Sequence, residues 1–473
     1  MARFKKEYPV LEKVEILDAG SEGKAVARVD KLVVFVPFVV PGDIVDIKVL
    51  KRKKSFYEGK AIKFHHLSHR RVEPRCEHFG LCGGCKWQNL NYADQLFYKQ
   101  KQVFDNFTRL GKFEFPDILP IIPAPAEYFY RNKLEFTCSN RKWLVEHDKN
   151  AEFQENLDGI GFHLIGMFDR IIDLKNCYLQ PEPSNQIRLA LRNFAHDNHF
   201  DFYDTKIHEG FLRNLIVRTA STGELMVIVI FARNDEENVK ITLDFIANEF
   251  PQITSLMYVV NTKKNDTIND QEMLLFKGTP YIFEEMEGLR FKIGPISFYQ
   301  TNSIQAHKLY QVAREFADFK GNETVYDLYC GTGTITNFIA KSVKKAIGIE
   351  YVPSAIEDAI NNSAINEITN THFITGDIAK TLNEDFFNRH GKPDIIITDP
   401  PRSGMHPKVI EEILNALPEK IVYVSCNPAT QARDIVLMNQ SYDLVKIQPV
   451  DMFPQTHHVE NVCLLVRKIN DAV

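Results

Sequence analysis

The last third of the chain repeats one pattern, a short apolar run followed by a polar residue and then by a helical segment. The apolar runs occupy residues 324–329, 346–349, 372–374, 394–397 and 421–424. Strands that alternate with helices predict a parallel sheet, and open sheets of this kind bind ligands outside the carboxyl ends of their strands. We therefore expect the residues that follow these runs to lie at one edge of the sheet; they include Glu350, Asp377, Asp399 and Cys426.

A glycine turn follows the first run and predicts a cofactor loop. It comprises residues 330–334, with Gly331 and Gly333 placed so that the backbone can approach a ligand closely. The next run ends at Glu350, whose carboxylate is placed to accept ribose hydroxyls. Enzymes that bind a nicotinamide dinucleotide share this pattern, so the turn alone does not identify the cofactor.

Two later loops favour S-adenosylmethionine as the cofactor. Asp377 suits the exocyclic amino group of an adenine, whereas a hydride-transferring site has no evident use for the loop Asp399-Pro400-Pro401-Arg402. A helix over residues 431–438 is followed by strand-like runs at 444–450 and 459–466. Two antiparallel strands at the end of the sheet are typical of a methyltransferase domain.

Cys426 lies at the end of the last parallel run and is the candidate nucleophile. A lone strand cysteine is more often a core residue, because free cysteine is among the most buried residue types. A thiol at a strand end beside the Asp399 loop, however, is placed to attack a flat heterocycle held there.

Several motifs together resemble the RNA (uracil-5-)-methyltransferase family. They are the Gly331 turn and residues 298–302, 399–404, 425–428 and 458–460. The resemblance implies Cys426 as the nucleophile that adds to uracil C6, Glu460 as the base and Asp399 as a catalytic group that orients the uracil. It also implies S-adenosylmethionine bound by Gln300, Tyr329, Gly331, Gly333, Thr334, Glu350, Asp377 and Asp399.

The first 66 residues predict a small β-barrel. Short strand-like runs occupy residues 14–17, 25–29, 31–38, 44–50 and 59–64. The segment resembles a TRAM domain, an OB-like RNA-binding module. The formal net charge is only −5, so any RNA-binding surface is local. We expect the basic residues of this region to contact phosphates; they are Lys51, Arg52, Lys53, Lys54, Lys60, Lys63, Arg70, Arg71 and Arg75.

Three closely spaced cysteines, Cys76, Cys82 and Cys85, favour a metal site, with Cys177 as a distant fourth ligand. Zinc ribbons usually pair two Cys-x2-Cys knuckles, whereas an iron–sulfur cluster accepts irregular spacing, so spacing alone favours the cluster only modestly. By resemblance to the family, the four cysteines hold a [4Fe-4S] cluster. Of the other cysteines, Cys138 and Cys463 are expected in the core and Cys330 in the cofactor loop.

We expect three domains, a TRAM-like barrel (1–66), a mostly antiparallel central domain with the cluster (67–293) and a Rossmann-like α/β methyltransferase domain (294–473). A helix at about 92–110 is expected to pack on the catalytic domain, and strands are expected at 215–219, 225–231 and 256–260. Residues 131–133 and 213–214 either contact RNA or are exposed strand ends.

The resemblance implies methylation of C5 of a uridine in 23S ribosomal RNA, because family members with both barrel and cluster generally act there. Transfer RNA is the alternative substrate, and a non-catalytic iron–sulfur RNA-binding protein is the alternative of a different class. Two other classes of methyltransferase do not fit the Asp399 loop. Amino methyltransferases need an aromatic residue at the position of Arg402, and RNA cytosine-5 methyltransferases need a cysteine in this loop besides Cys426. This chain has neither feature. The chain has no long uncharged apolar run, so we expect a soluble cytoplasmic protein without membrane contact. We also expect a monomer.

Overall fold

The computed structural model describes residues 8–144 and 157–469, and it begins with a closed five-stranded barrel. The strands are β1 (Val10–Ala19), β2 (Ala25–Val29), β3 (Leu32–Val36), β4 (Ile44–Arg52) and β5 (Phe56–His66). They pair in the order β1-β2-β3-β5-β4, and β4 returns to β1. Strands β3 and β5 are parallel, and the other pairs are antiparallel. The predicted OB-like barrel is confirmed.

A buried carboxylate fastens the barrel to the segment that follows it. Asp43 is fully buried and accepts hydrogen bonds from the backbone amides of Val40 (2.8 Å) and Ser68 (3.0 Å). The guanidinium of Arg71 completes its shell, with 2.7 Å between Nη2 and Oδ2. A buried charge needs such partners. The Arg71 guanidinium is thus paired with Asp43 while its side chain is 20% exposed, and its contact with RNA phosphates stays a prediction.

Helix α1 (Tyr92–Asn106) joins the barrel region to the rest of the molecule. The Asn91 side chain caps its first turn, and one π-helical turn (Phe107–Gly111) extends it. Its buried face carries Gln95, Lys99 and Val103, which are four residues apart and so lie on one side of the helix. This face packs against the C-terminal part of the chain.

The central part of the chain forms a seven-stranded sheet with two helices. Its strands are β6 (Lys133–Ser139), β7 (Gly159–His163), β8 (Ile171–Asp173), β9 (Leu212–Thr219), β10 (Leu225–Phe231), β11 (Ser255–Val260) and β12 (Leu274–Gly278). The helices are α2 (Ser184–Asp197) and α3 (Glu236–Glu249). The order is β12-β11-β10-β9-β6-β7-β8, and β10 and β11, which α3 connects, are its one parallel pair in the described residues. The mostly antiparallel character predicted for this part is confirmed.

A hairpin and a long helix lead into the C-terminal sheet. They are β13 (Ile282–Met286), β14 (Leu289–Ile293) and α4 (Ser303–Ala317). One continuous apolar cluster contains Ile228 of β10, Phe291 of β14, Val312 of α4 and buried residues of the C-terminal sheet. The central and C-terminal sheets are thus packed through a shared core, which fixes the loops between them.

The C-terminal sheet alternates strands with helices. In chain order its elements are β15 (Thr324–Leu328), α5 (Thr334–Ala340), β16 (Lys345–Glu350), α6 (Pro353–Ile365), β17 (Thr371–Thr375), α7 (Ile378–Thr381), α8 (Glu384–His390), β18 (Ile395–Thr398), α9 (Pro407–Ala416), β19 (Lys420–Ser425), α10 (Pro428–Met438), β20 (Tyr442–Val450) and β21 (Glu460–Arg467).

The strands of this sheet lie in the order β17-β16-β15-β18-β19-β21-β20. The first five are parallel, and β21 is antiparallel to both of its neighbours. This arrangement confirms the predicted Rossmann-like α/β class, in which an antiparallel pair of strands ends the sheet. The part of the chain that the structure describes contains no helix that is both long and apolar enough to cross a membrane.

Candidate active site

Cys426 lies directly after β19, at the edge of the sheet where the sequence placed it. The next residue, Asn427, caps α10, since its side chain accepts a hydrogen bond from the Ala429 amide (3.1 Å). The Asn427 amide group also donates to the carbonyl oxygen of Arg402 (2.9 Å), and the Thr430 hydroxyl donates to the same oxygen (3.3 Å). The Cys426 and Asp399 loops are therefore bound to each other and present their side chains together.

Three ionisable groups face Cys426. The pKa of the Cys426 thiol is raised to about 11, mainly by burial and then by the carboxylates of Glu460 and Asp399, while the Arg402 guanidinium opposes this rise. Burial raises the pKa of Glu460 to about 8, with the Asp399 charge adding to this rise, and burial raises the pKa of Asp399 to about 7. Groups that perturb each other in this way in a cleft are typical of an active site.

The glycine turn lies between β15 and α5, as predicted, with Gly331 and Gly333 at φ values of +54° and +71°. A Cβ at Gly333 would lie 2.7 Å from the Ala359 side chain, so only glycine fits there without displacement. The Glu350 carboxylate accepts hydrogen bonds from the amides of Gly331 (3.2 Å), Tyr351 (2.8 Å) and Val352 (3.0 Å). These bonds fix the carboxylate beside the turn.

A cavity of about 540 Å³ adjoins this edge and brings together Tyr329, Asp377 and the Asp399 loop at Pro401 and Gly404. Asp377 caps α7 by accepting a hydrogen bond from the Ala379 amide (3.2 Å). Its position at the strand end agrees with the predicted one.

Gln300 lies in the loop between β14 and α4. Two residues earlier, the Phe298 carbonyl oxygen accepts a hydrogen bond from Thr332 of the glycine turn (3.4 Å), and the Gln300 carbonyl oxygen accepts one from the Asn132 side chain (2.9 Å). This loop therefore bridges the cofactor turn and the central sheet. Thr334 is buried at the first position of α5.

Sequence reasoning missed Asp327, which is buried in β15 below the glycine turn. The Thr336 hydroxyl donates to its Oδ2 (2.6 Å), while burial raises its pKa to about 7 and the Asp399 charge adds to this rise. The signal in the sequence was an acidic residue inside an otherwise apolar strand. Its carboxyl group supports the turn from within the sheet.

The loop that precedes Glu460 is fixed by a buried ion pair that the sequence also did not indicate. Lys99 of α1 donates to Asp451 (2.6 Å) and to the Phe453 carbonyl oxygen (3.0 Å), and both members of the pair are fully buried. The backbone amides of Lys86 and Trp87 donate to the Gln455 carbonyl oxygen. The loop over residues 451–458 is therefore held by α1 and by the segment that follows Cys85.

The four cysteines predicted to bind a metal line one small, largely apolar cavity. Burial raises the pKa of Cys85 to about 12 and that of Cys177 to about 11, and the neighbouring cysteines add to both rises. Among residues 8–144 and 157–469, no three histidine, cysteine, aspartate or glutamate side chains are arranged to hold a single metal ion. Four cysteine thiols are a donor set that either an iron–sulfur cluster or a zinc ion can use.

Sequence models of known families match two parts of the chain. Residues 216–468, more than half of the chain, match the tRNA (uracil-5-)-methyltransferase family, and residues 12–62 match the TRAM domain. The chain belongs to the tRNA (uracil-5-)-methyltransferase family. It is accordingly an S-adenosylmethionine-dependent RNA methyltransferase of the uracil-5 class.

Relatives and a solved structure agree with the family. An uncharacterized RNA methyltransferase of Bacteroides thetaiotaomicron is 55% identical over 450 residues, covering 94% of this chain and 99% of the relative. One from Porphyromonas gingivalis is 52% identical, covering 96% and 99%. A crystal structure of Pyrococcus abyssi tRNA (uracil-54, C5)-methyltransferase in complex with S-adenosyl-L-homocysteine superposes with a TM-score of 0.74 at 28% identity, covering 96% of this chain and all of that one.

In this uracil-5 methyltransferase, three basic residues expected to touch RNA contact other residues of the protein, and one of the three, Arg213, is buried. Arg213 is buried and donates to the carbonyl oxygens of Asn261, Lys263 and Asn265, so the expectation for Arg213 and its buried neighbour Asn214 is wrong. Arg70 pairs with Asp94. Arg75 packs over the rings of Tyr128, Phe129 and Tyr178. Of the basic residues expected to contact phosphates, the exposed ones are Lys51, Arg52, Lys53, Lys54, Lys60, Lys63 and Arg75.

Proposed function

We propose that this protein methylates C5 of a uridine in RNA through a covalent adduct with Cys426. The observation that carries the proposal is the group formed by Cys426, Glu460, Asp399 and Arg402 at one sheet edge. The three charged groups act electrostatically on the Cys426 thiol, and Asp399 and Arg402 act on Glu460. This group of side chains adjoins the glycine turn, so a uracil bound at Cys426 would face a cofactor held by the turn.

The chemistry of uracil explains why a thiol is needed. C5 is a weak nucleophile, and addition of the Cys426 thiolate to C6 places carbanion character on C5. S-adenosylmethionine supplies the methyl group, which C5 takes by in-line displacement. Glu460 then removes the C5 proton, and the electron pair of that C–H bond reforms the C5–C6 double bond as the thiolate leaves. The raised pKa of Glu460, about 8, suits this role because the proton is accepted near the operating pH.

We propose that Asp399 and Gln300 orient the uracil and the cofactor. Glu350 faces the ribose of the cofactor, and Asp377 faces its adenine. Tyr329, Gly331, Gly333 and Thr334 complete the proposed cofactor site. The support is their position around one sheet edge and its adjoining cavity.

Replacing Glu460 tests the division of roles. In Glu460→Gln, methyl transfer proceeds but the C5 proton is not removed, so we expect a methylated covalent complex to accumulate. Denaturing gel shifts of RNA incubated with methyl-labelled S-adenosylmethionine would detect it. Turnover at the wild-type rate by this variant would remove Glu460 as the base.

We propose 23S ribosomal RNA as the substrate. The support is the combination of an OB-like barrel with the four-cysteine cavity, since family members with both features generally act there. The alternative is transfer RNA, the substrate named for the Pyrococcus abyssi protein of similar structure. Incubating the protein with unmodified transcripts of each RNA and quantifying 5-methyluridine by mass spectrometry decides between them. Product in transfer RNA alone would overturn this choice and leave the chemistry intact.

We further propose that Cys76, Cys82, Cys85 and Cys177 hold a [4Fe-4S] cluster with a structural or RNA-positioning role. Their common, largely apolar cavity supports this, and methyl transfer from S-adenosylmethionine by this route moves no net electrons. Protein purified without air should contain about four irons and four sulfides per chain. Stoichiometric zinc without sulfide in such protein would contradict the cluster.

A further inference from the structure

A buried carboxylate beneath the Asp399 loop has no part in the mechanism above. It belongs to Asp434 of α10, the helix that begins two residues after Cys426, and its side chain has no exposed surface. A carboxylate removed from water in this way is stable only when hydrogen-bond donors surround it. The donors around Asp434 therefore show which parts of the fold it holds together.

These donors come from three places in the fold. Oδ2 of Asp434 accepts hydrogen bonds from the Tyr423 hydroxyl of β19 (2.8 Å) and from the backbone amide of Met405 (2.8 Å), at the far end of the Asp399 loop. Oδ1 accepts two from the guanidinium of Arg433, at 2.8 Å from Nε and 2.6 Å from Nη2. The carboxylate thus fastens the loop to α10 and to the strand that precedes Cys426.

Arg433 extends this hold to a second point of the loop. Its Nη2 also donates to the Ser403 carbonyl oxygen (2.9 Å). Because 52% of its side chain is exposed, packing constrains the guanidinium little, and the Asp434 carboxylate orients it. Gly404 has a φ of +78°, and a Cβ there would lie 2.5 Å from Arg433 Nη2 and 2.6 Å from Asp434 Oδ2. Glycine is therefore needed for the loop to approach the pair this closely.

The same loop serves both proposed sites. Asp399 and Arg402 act electrostatically on Cys426, while residues 403–405 line the cavity beside the proposed cofactor site. The two residues between Asp399 and Arg402 are prolines, whose rings fix their φ angles. A displacement at one end of so stiff a loop is carried to the other end rather than absorbed between them.

We propose that Asp434 is a positioning residue for methyl transfer. Through Met405 and Arg433 it sets the place of the Asp399 loop against both Cys426 and the cofactor. The inference rests on the proposed function, because the reaction at this edge of the sheet is what a displaced loop would slow. A misplacement of reacting groups by about 1 Å can cost about 100-fold in rate.

The test is the rate constant of methyl transfer in a single turnover. Protein is in saturating excess over the unmodified RNA transcript that the wild type methylates, and S-adenosylmethionine is saturating. Asp434→Asn keeps the size of the side chain and one oxygen for Met405 and Tyr423, but places an amide group where Arg433 donates. We expect the rate constant to fall about 10- to 100-fold. At saturating protein it does not depend on the folded fraction, so a role in stability alone would leave it unchanged.

Two further variants keep the result interpretable. Arg433→Gln changes a half-exposed side chain and serves if Asp434→Asn loses its fold. It should slow methyl transfer by a similar factor, and the double variant should be little slower than either single one, because both changes break the same contact. Glu412→Gln is the matched control, since this carboxylate is also buried (7% exposed) but its partners Lys408 and Asn415 lie with it on α9. Its rate constant should equal that of the wild type.

The outcomes separate this inference from the function on which it rests. Wild-type rate constants in both Asp434→Asn and Arg433→Gln would overturn the inference. Losses that multiply in the double variant would also overturn it, because they would show that the two residues act independently. Absence of 5-methyluridine formation by the wild-type protein would instead reject the proposed function.

Discussion

At the scale of single residues, the surroundings of the proposed nucleophile, Cys426, keep its thiol protonated. The Cys426 thiol has a pKa raised to about 11 by burial and by the carboxylates of Glu460 and Asp399, so it is protonated at neutral pH in the RNA-free protein. The thiolate is the reactive form of cysteine. In the proposed mechanism the thiol must therefore lose its proton once the uracil is bound, and the Arg402 guanidinium, which lowers the pKa of the thiol, favours this loss.

This arrangement predicts how Cys426 responds to a change at Glu460. Glu460→Gln removes a negative charge that raises the thiol pKa, so the pKa should fall and the thiolate fraction at a given pH should rise. We expect alkylation of Cys426 by iodoacetamide at pH 8.5–9 to become about 3- to 10-fold faster, measured by peptide mass spectrometry. Glu412→Gln, in α9 and away from these groups, is the control and should leave the rate unchanged. A slower or equal rate in Glu460→Gln would contradict the account.

At the scale of elements, helix α1 fixes the loop over residues 451–458. Lys99→Met would leave the buried carboxylate of Asp451 without its cation, and breaking a buried pair in this way costs about 3–5 kcal/mol. Lys101 on the same helix pairs with Asp18 and Asp105 at the surface, where such pairs contribute ~0–1 kcal/mol. Hydrogen exchange in the loop should accelerate strongly in Lys99→Met and little in Lys101→Met. Equal protection in both variants would show that the pair does not hold the loop.

The sequence predicted features that depend on local patterns and missed those that depend on contacts between distant residues. Apolar runs and a glycine turn are local signals, so they located the strands of the C-terminal sheet and placed Glu350, Asp399 and Cys426 at one edge. The Lys99–Asp451 pair joins residues 352 positions apart, and its only local trace is a lysine on the helix face between Gln95 and Val103. Arg213 was misread for a related reason, because a basic residue in a strand does not reveal the carbonyl groups that surround it.

At the scale of the whole molecule, RNA must bind to a protein of net charge −5 through a local surface. The exposed lysines of the turn after β4 provide a candidate surface, because Lys53 and Lys54 lie next to each other there and are both exposed. Lys53→Ala/Lys54→Ala should weaken RNA binding and reduce the slope of log affinity against log salt by about 1–2, as expected for two lost phosphate contacts. Lys240→Ala/Lys277→Ala removes two exposed lysines of the central sheet and its helices and is the matched control. An unchanged slope in the first double variant would exclude this turn from the interface.

The central claim is that Cys426 forms a covalent bond to the target uracil. RNA with 5-fluorouracil at the target position tests it directly, because fluorine at C5 cannot leave as a proton and the adduct cannot resolve. With S-adenosylmethionine present, we predict a stable complex in which mass spectrometry locates a methylated fluorouracil on the peptide that contains Cys426, and no such complex with Cys426→Ala. A complex formed equally well by Cys426→Ala, or one attached to another residue, would contradict the account.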